Sequence, residues 1–230
     1  MKSIIVSSES PITLVGGARL NPDDVNEVLS LAPLLVAADG GAASALTLGH
    51  LPEAVIGDMD SLPDDAAQAL SGRIHCISEQ DSTDFDKALR SIDAPLVVAL
   101  GFAGGRFDHE LAVMNTLVRR ADRACIVVGA ETLVFVAPPK LRLDLSAGSL
   151  VSLFPMAEVR ANATGLQWPV EDLDLAPDGR VGTSNAATGP VDLSVDTPSL
   201  LVILPRSALR VAIMGLLAQR GGAQWPVRAE

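Results

Sequence analysis

The stretch LLVAADGGAASALTLGHLPEAVIGDMDS, residues 34–61, decides the fold of the N-terminal half. It contains two short continuous apolar runs, 34–38 and 54–56. The first leads into Asp39-Gly40-Gly41 and the second into Gly57-Asp58-Met59-Asp60-Ser61. Residues 42–48 between them read as a helix stopped by Gly49. Continuous apolar runs without alternation mark strands buried on both faces of a parallel sheet. Strand, helix and strand in that order form a βαβ unit.

The same grammar extends in both directions. Upstream, a strand at 12–15 ends in Gly16-Gly17, and Asn21 or Asp23 caps a helix carrying Val25, Val28, Leu29 and Leu31. Downstream come a helix at 64–70 and a strand at 73–77. A helix started by Ser82 or Thr83 then runs through Leu89 and Ile92, followed by a strand at 96–100, a glycine-rich turn, a helix at 108–119 and a strand at 125–128. This predicts an α/β, Rossmann-like domain with a doubly wound parallel sheet. In open sheets of this kind ligands bind at the carboxyl ends of strands. Asp39, Asp58, Asp60 and the 104–108 turn are therefore expected to share one edge.

The texture changes at Pro138-Pro139. Beyond it, short β-like stretches at 141–145, 149–154, 158–161, 191–195 and 200–204 are separated by Gly and Pro turns. That pattern predicts an all-β sandwich. The expected domains are 1–137 and 138–230. Residues 209–217 admit either a strand or a short helix.

Composition limits the function. Hydrophobic residues make up 48% of 230, enough for a sizeable core, and with no Tyr and only five Phe that core must be aliphatic. The formal charge of −11 argues against a nucleic-acid partner, whose phosphates demand dense Lys and Arg. Much of the acid is concentrated in Asp58, Asp60, Asp64, Asp65, Glu79, Asp81, Asp84 and Asp86. Such a cluster repels itself unless cations or water screen it. No apolar run reaches the ~18 residues of a membrane span, and residues 1–20 lack the pattern of a secretory signal. A cytoplasmic protein without membrane contact is expected. Cys76 and Cys125 both lie in apolar runs and read as buried thiols with no metal or redox spacing.

Three segments carry chemistry. In Gly57-Asp58-Met59-Asp60-Ser61 the two carboxylates face opposite ways if the chain stays extended, and converge if it turns at Gly57. Hard oxygen ligands of this type suit Mg²⁺, which takes one or two carboxylates together with substrate phosphates; an isolated pair is equally a solvated acidic turn. In Asp81-Ser82-Thr83-Asp84-Phe85-Asp86-Lys87, a helix beginning near Thr83 places Asp84 and Lys87 three apart on one face. One can then meet a cation and the other a phosphate. In Gly101-Phe102-Ala103-Gly104-Gly105-Arg106-Phe107-Asp108-His109, consecutive glycines let N–H groups approach a phosphate, and the planar fork of Arg106 matches two oxygens. His109 is a weak candidate base. In the C-terminal half, Trp168 within Gly165-Leu166-Gln167-Trp168-Pro169 offers a face for a flat cationic heterocycle, and Gly182-Thr183-Ser184-Asn185 also stands out.

Taken in order, Asp39-Gly40-Gly41-Ala42, Gly57-Asp58-Met59-Asp60-Ser61-Leu62, Asp81–Leu89, Gly104-Gly105-Arg106-Phe107-Asp108-His109, Gly165-Leu166-Gln167-Trp168-Pro169 and Ser184-Asn185 resemble the thiamine pyrophosphokinase family, over about residues 12–204. Each piece is weak alone; the ordered set is specific. Met59 stands where the family often has Phe, which leaves the ligand positions intact. The resemblance implies transfer of the diphosphate of ATP to the hydroxyl of thiamine, and a homodimer with sites between subunits. It gives Mg²⁺ ligation to Asp58, Asp60 and Asp84. ATP would meet Asp39, Gly40, Gly41, Lys87, Gly104, Gly105 and Arg106. Thiamine would meet Asp81, Trp168, Ser184 and Asn185. Asp84 or Asp108 would orient or deprotonate the hydroxyl. A diphosphokinase of another hydroxymethyl heterocycle, such as a pterin, is the nearest rival; Trp168 and Ser184-Asn185 argue against it. A non-catalytic thiamine- or nucleotide-binding module is a second rival, opposed by the retained acids and Arg106.

Overall fold

The computed structural model describes residues 4–219 and 225–226, so residues 1–3, 220–224 and 227–230 of the two expected domain spans lie outside the described residues. The chain divides into two compact units, residues 1–116 with 127–129, and residues 117–126 with 130–230.

Unit 1 follows the alternation read from the sequence. Its elements are β1 (Val6–Ser7), β2 (Ile12–Val15), α1 (Pro22–Leu31), β3 (Leu34–Ala38), α2 (Gly41–Thr47), β4 (Ala54–Gly57), α3 (Asp64–Ala69), β5 (Ile74–Cys76), α4 (Asp84–Arg90), β6 (Ile92–Asp93), β7 (Val97–Leu100) and the start of α5 (Phe107–Arg119), with β8 at Cys125–Val128. The strand order is β8-β7-β2-β3-β4-β5. β2 pairs in parallel with both β3 and β7, so Val15 lies opposite Ala37 and Leu100. β3 pairs in parallel with β4, and β4 with β5. Ile12, Leu14, Val36, Val55, Ile56 and Val98 are wholly buried, as strands covered on both faces require. The in-register parallel pairing brings the ends of β2, β3, β4 and β7 to one edge.

Local chemistry sets the helix ends. Asn21 caps α1 by accepting the Asp23 N–H. Thr83 caps α4 through the Asp86 N–H. That helix stops before Ile92, which the sequence reading had placed inside it. The Ser91 hydroxyl donates to the Lys87 carbonyl at 2.7 Å and so satisfies an end carbonyl. Ile92 then pairs with Val6 in the small β1–β6 ladder. Cys125 is buried as expected, and burial pushes its thiol up. Cys76 is exposed, against expectation, because β5 is the edge strand of the sheet.

Unit 2 is antiparallel. It holds β9 (Thr132–Val136), β10 (Lys140–Leu143), β11 (Leu150–Pro155), β12 (Val159–Leu166), β13 (Val170–Leu175), β14 (Gly182–Val195), β15 (Leu200–Pro205) and α6 (Leu209–Ala218). β14 is the organising strand. Its first half pairs with β11 and its second with β10 and β12. β15 joins β11 to β9, and β13 extends β12. Alternation is clean where one face is wet: Leu141 and Leu143 are buried while Lys140 and Arg142 are exposed. The strand at 170–175 escaped the sequence reading because Asp172, at φ 44°, breaks the two-residue period. Residues 209–217 are helical, with Leu209, Ala212, Ile213 and Leu216 buried at helical spacing. No helix of the described residues is long and apolar enough to cross a membrane.

Candidate active site

The edge of unit 1 holds the acids. Asp39 follows β3 in a left-handed conformation (φ 41°), with its N–H bonded to the Ile56 carbonyl at 3.1 Å. Its carboxyl is 5% exposed. Oδ2 accepts the Ser61 N–H at 3.2 Å, and Oδ1 is buried with no hydrogen-bond partner among the described residues. Burial, followed by the charge of Asp84, holds this carboxyl above its usual range.

The pair Asp58 and Asp60 converges, and the residue that turns the chain is Met59, at φ 70°; Gly57 is the last residue of β4. The Asp60 N–H bonds to Asp58 Oδ1 at 3.4 Å, and the Ser61 hydroxyl donates to Asp60 Oδ1 at 2.9 Å. Gly57 is required for a different reason. A Cβ there would lie 2.9 Å from Asp39 Cβ and 3.0 Å from Asp84 Oδ1. Carboxylate oxygens of Asp39, Asp58 and Asp60 all fall within 4.8 Å of one another. Asp39, which the resemblance gave to ATP, thus joins two of the three expected metal ligands, and Asp84, the third, is not part of this group.

Asp84 meets the same group from the first turn of α4. Its Oδ1 accepts the Asp58 N–H at 3.3 Å and the Lys87 ammonium at 3.0 Å. Lys87 also donates to Asp58 Oδ2 at 2.7 Å and is 1% exposed. The residue expected to reach phosphates is therefore a buried bridge between two carboxylates. The bond to Lys87 holds Asp58 below the usual carboxylate range. Burial alone pushes the Lys87 ammonium down, but the bonds to Asp58 and Asp84 outweigh it, and the net direction is up.

Two supporting residues were not singled out from the sequence. Arg90 bonds to Glu79 at 2.9 Å, to Asp86 at 3.3 Å and to Ser82 at 3.4 Å, and Ser82 donates to Glu79. Gln80 reaches Asp58 Oδ2 at 3.4 Å. The available signal was the Asp86–Arg90 spacing, a helical i, i+4 pair. Together these bonds anchor the 79–86 segment, where Asp81 is exposed.

The glycine-rich turn after β7 presents oxyanion donors. The N–H groups of Gly104 (φ 86°) and Gly105 both point at Glu110 Oε1, at 2.9 and 3.1 Å. Arg106 forms a two-pronged pair with Asp108 at 3.1 and 2.6 Å. Arg106 in turn holds the exposed Asp108 carboxyl below its usual range. Both glycine N–H groups and two Arg106 donors thus meet carboxylate oxygens of the same chain. Phe102 stacks at 4.6 Å on Phe85, tying the turn to α4.

In unit 2, Trp168 is 55% exposed, and its main-chain N–H and C=O both bond to the side chain of Asn185, at 3.1 and 2.9 Å. Ser184 is left-handed (φ 62°), with its N–H bonded to Ser152 Oγ at 2.9 Å. Trp168, Ser184 and Asn185 are thus neighbours in one unit.

Two family models match the chain, one in each half. A family model described as thiamin pyrophosphokinase, catalytic domain, matches residues 25–128, and one described as thiamin pyrophosphokinase, vitamin B1 binding domain, matches residues 140–201. Thiamine pyrophosphokinase 1 of Arabidopsis thaliana is 29% identical over 189 residues, covering 67% of this chain and 71% of its own. Thiamin pyrophosphokinase 1 of Caenorhabditis elegans is 26% identical over 174 residues, covering 66% and 71%. Among solved structures, a thiamine pyrophosphokinase from Bacillus subtilis superposes with a TM-score of 0.69 at 21% identity, covering 85% of this chain and 98% of its own. The thiamin pyrophosphokinase of Candida albicans superposes at 0.72 and 16%, covering 87% and 91%. These two likenesses carry the fold, and the matched models span most of both halves. The chain belongs to the thiamine pyrophosphokinase family.

Proposed function

We propose that the chain transfers the diphosphate group of ATP to the hydroxyl of thiamine, giving thiamine diphosphate and AMP. The observation that carries the mechanism is the convergence of Asp39, Asp58 and Asp60 within 4.8 Å, at the edge where a parallel sheet receives ligands. The donor set fits Mg²⁺: the ligands are hard carboxylates, and Asp39 Oδ1 is buried without a hydrogen-bond partner among the described residues. Asp58, Asp60 and Asp39 would hold the ion, with Asp84 beside them. An ion there would offset the repulsion between a chain of charge −11 and a polyphosphate and would polarise the phosphoryl oxygens.

The chain's own groups divide the remaining work. Lys87 holds Asp58 and Asp84 in place and keeps Asp58 ionised. Arg106, the Gly104 and Gly105 N–H groups and the turn at Asp39-Gly40-Gly41 bind the ATP phosphates, once Asp108 and Glu110 give way. The thiamine oxygen attacks the β-phosphorus, the bond from that phosphorus to the oxygen of the α-phosphate breaks, and AMP leaves with the electron pair. The hydroxyl proton passes to a carboxylate. Asp84 and Asp108 are the two candidate carboxylates for orienting the hydroxyl. Catalysis of this kind is mostly positioning and charge stabilisation. Thiamine stacks on Trp168 and meets Ser184. In the same reading unit 1 is a Rossmann-like nucleotide domain, unit 2 a β-sandwich, and the protein a cytoplasmic homodimer without nucleic-acid or membrane partners.

The test is AMP release from ATP and Mg²⁺ with thiamine, with a hydroxymethyl pterin, and with no acceptor. AMP is expected with thiamine alone. Release with the pterin or without acceptor overturns the substrate assignment. A folded Asp60→Asn variant that keeps full activity at limiting Mg²⁺ removes the metal assignment.

A further inference from the structure

We infer that Asn185 is a positioning residue that presents the Trp168 ring to thiamine and does not itself touch thiamine; this rests on the reading that Trp168 stacks on that substrate. Asn185 is 6% exposed. Its Oδ1 accepts the Trp168 N–H at 3.1 Å and the Ala186 N–H at 2.9 Å, and its Nδ2 donates to the Trp168 carbonyl at 2.9 Å. An amide side chain has two acceptor and two donor positions. Both acceptor positions and one donor are already used within the chain, and little of the residue reaches solvent where a ligand arrives.

The Trp168 ring is the reverse case. It is 55% exposed, in a chain whose other aromatic side chains are few. Its main chain is nonetheless held at successive points. Gly165 sits at φ 78°, and any Cβ there would fall 2.0 Å from the Pro190 carbonyl oxygen. Leu166 pairs with Ala187 after a register shift, and the Gln167 N–H bonds to the Ala186 carbonyl at 2.8 Å. Asn185 then closes both main-chain groups of Trp168. On the other strand, the pairing of β11 with β14 shifts between Val151 and Leu153, next to the left-handed Ser184. A bulge of this kind re-aims the following side chain and persists only where its surroundings over-determine it. The main chain is thus locked while the ring stays free, which lowers the ordering cost that stacking would otherwise carry.

The test uses the full chain in a Trp225→Phe background, so that Trp168 is the only tryptophan emitting. Asn185→Ala should increase acrylamide quenching of Trp168 and lower its anisotropy before any ligand is added. It should raise the KM for thiamine by about 5- to 10-fold while kcat and the KM for ATP hold, since losing a preorganised stacking partner is an effect of about that size. Asn185→Asp, which keeps both acceptor bonds and loses the donor, should fall between. In the double variant Trp168→Ala/Asn185→Ala, the KM for thiamine should equal that of Trp168→Ala alone. A further several-fold rise in the double variant would mean that Asn185 contacts thiamine, and would overturn the inference. Unchanged quenching in both Asn185 variants would overturn it while leaving the stacking intact. A normal thiamine KM in Trp168→Ala would bring down the stacking reading and the inference together.

Discussion

The Lys87 ammonium lies 2.7 Å from Asp58 Oδ2 and 3.0 Å from Asp84 Oδ1, in a side chain 1% exposed. A buried cation between two carboxylates is costly to unbalance. Removing one partner leaves an uncompensated charge and typically destabilises by about 3–5 kcal/mol. Lys87→Met should therefore lower Tm markedly, as read by calorimetry.

The same pair sets a pH window. Lys87 lowers the folded value of Asp58, so its contribution is present above the unfolded carboxylate range and lost as pH falls through the depressed folded value. Lys87 itself is raised, so its contribution is complete below the unfolded lysine value and lost as pH rises through the folded one. Wild type should lose this stability only at the acid and alkaline extremes. A Tm difference between wild type and Lys87→Met that vanishes at pH 7 would contradict the pairing.

Asp39 makes the opposite prediction. Burial raises its folded value, so its charged form is disfavoured at neutral pH, and the cost eases as pH falls toward the unfolded range. Asp39→Asn should abolish activity yet raise the Tm of the ligand-free protein by about 2–4 °C, the shift that ~1 kcal/mol produces in a chain of this size. The gain should shrink on acidification. A Tm lowered at pH 7 would show that the carboxylate stabilises the fold.

Glu110 occupies the N–H groups of Gly104 and Gly105, where the proposed phosphate binds. Glu110→Ala should remove a competing carboxylate and lower the KM for ATP by about 2- to 5-fold, within the range of one net hydrogen bond. The KM for thiamine should not move. A higher KM for ATP would instead mean that Glu110 shapes the turn for binding.

Gly57→Ala places a Cβ 2.9 Å from Asp39 Cβ and 3.0 Å from Asp84 Oδ1. Overpacking of that order costs about 1–3 kcal/mol and displaces its neighbours. The variant should melt lower and bind Mg²⁺ more weakly by titration calorimetry. Unchanged Mg²⁺ affinity would separate Asp39 and Asp84 from the ion.

Much of unit 1 was legible because its signals are local. The runs at 34–38 and 54–56 have no polar face, so they bury only between two layers, and that forces a parallel sheet with its loops at the strand ends. Asn21 and Thr83 announce helix starts through their own hydrogen bonds. Asp39, Asp58 and Asp60 fall at one edge for the same reason. In unit 2 the strand at 170–175 was hidden by the left-handed Asp172, and Cys76 read as buried because an edge strand carries the same residues as a central one.

The sequence by itself determined most of the strand and helix order of unit 1, the parallel character of its sheet and the placement of the acids beyond its strands, because periodicity and capping act over a few residues. Only the tertiary structure decided that Asp39 joins Asp58 and Asp60, that Lys87 is buried between carboxylates, and that Asn185 holds Trp168 across 17 positions. Those pairings depend on strand register and on left-handed turns at Met59 and Ser184. Neither residue is a glycine, so neither turn leaves a mark in the composition of the chain.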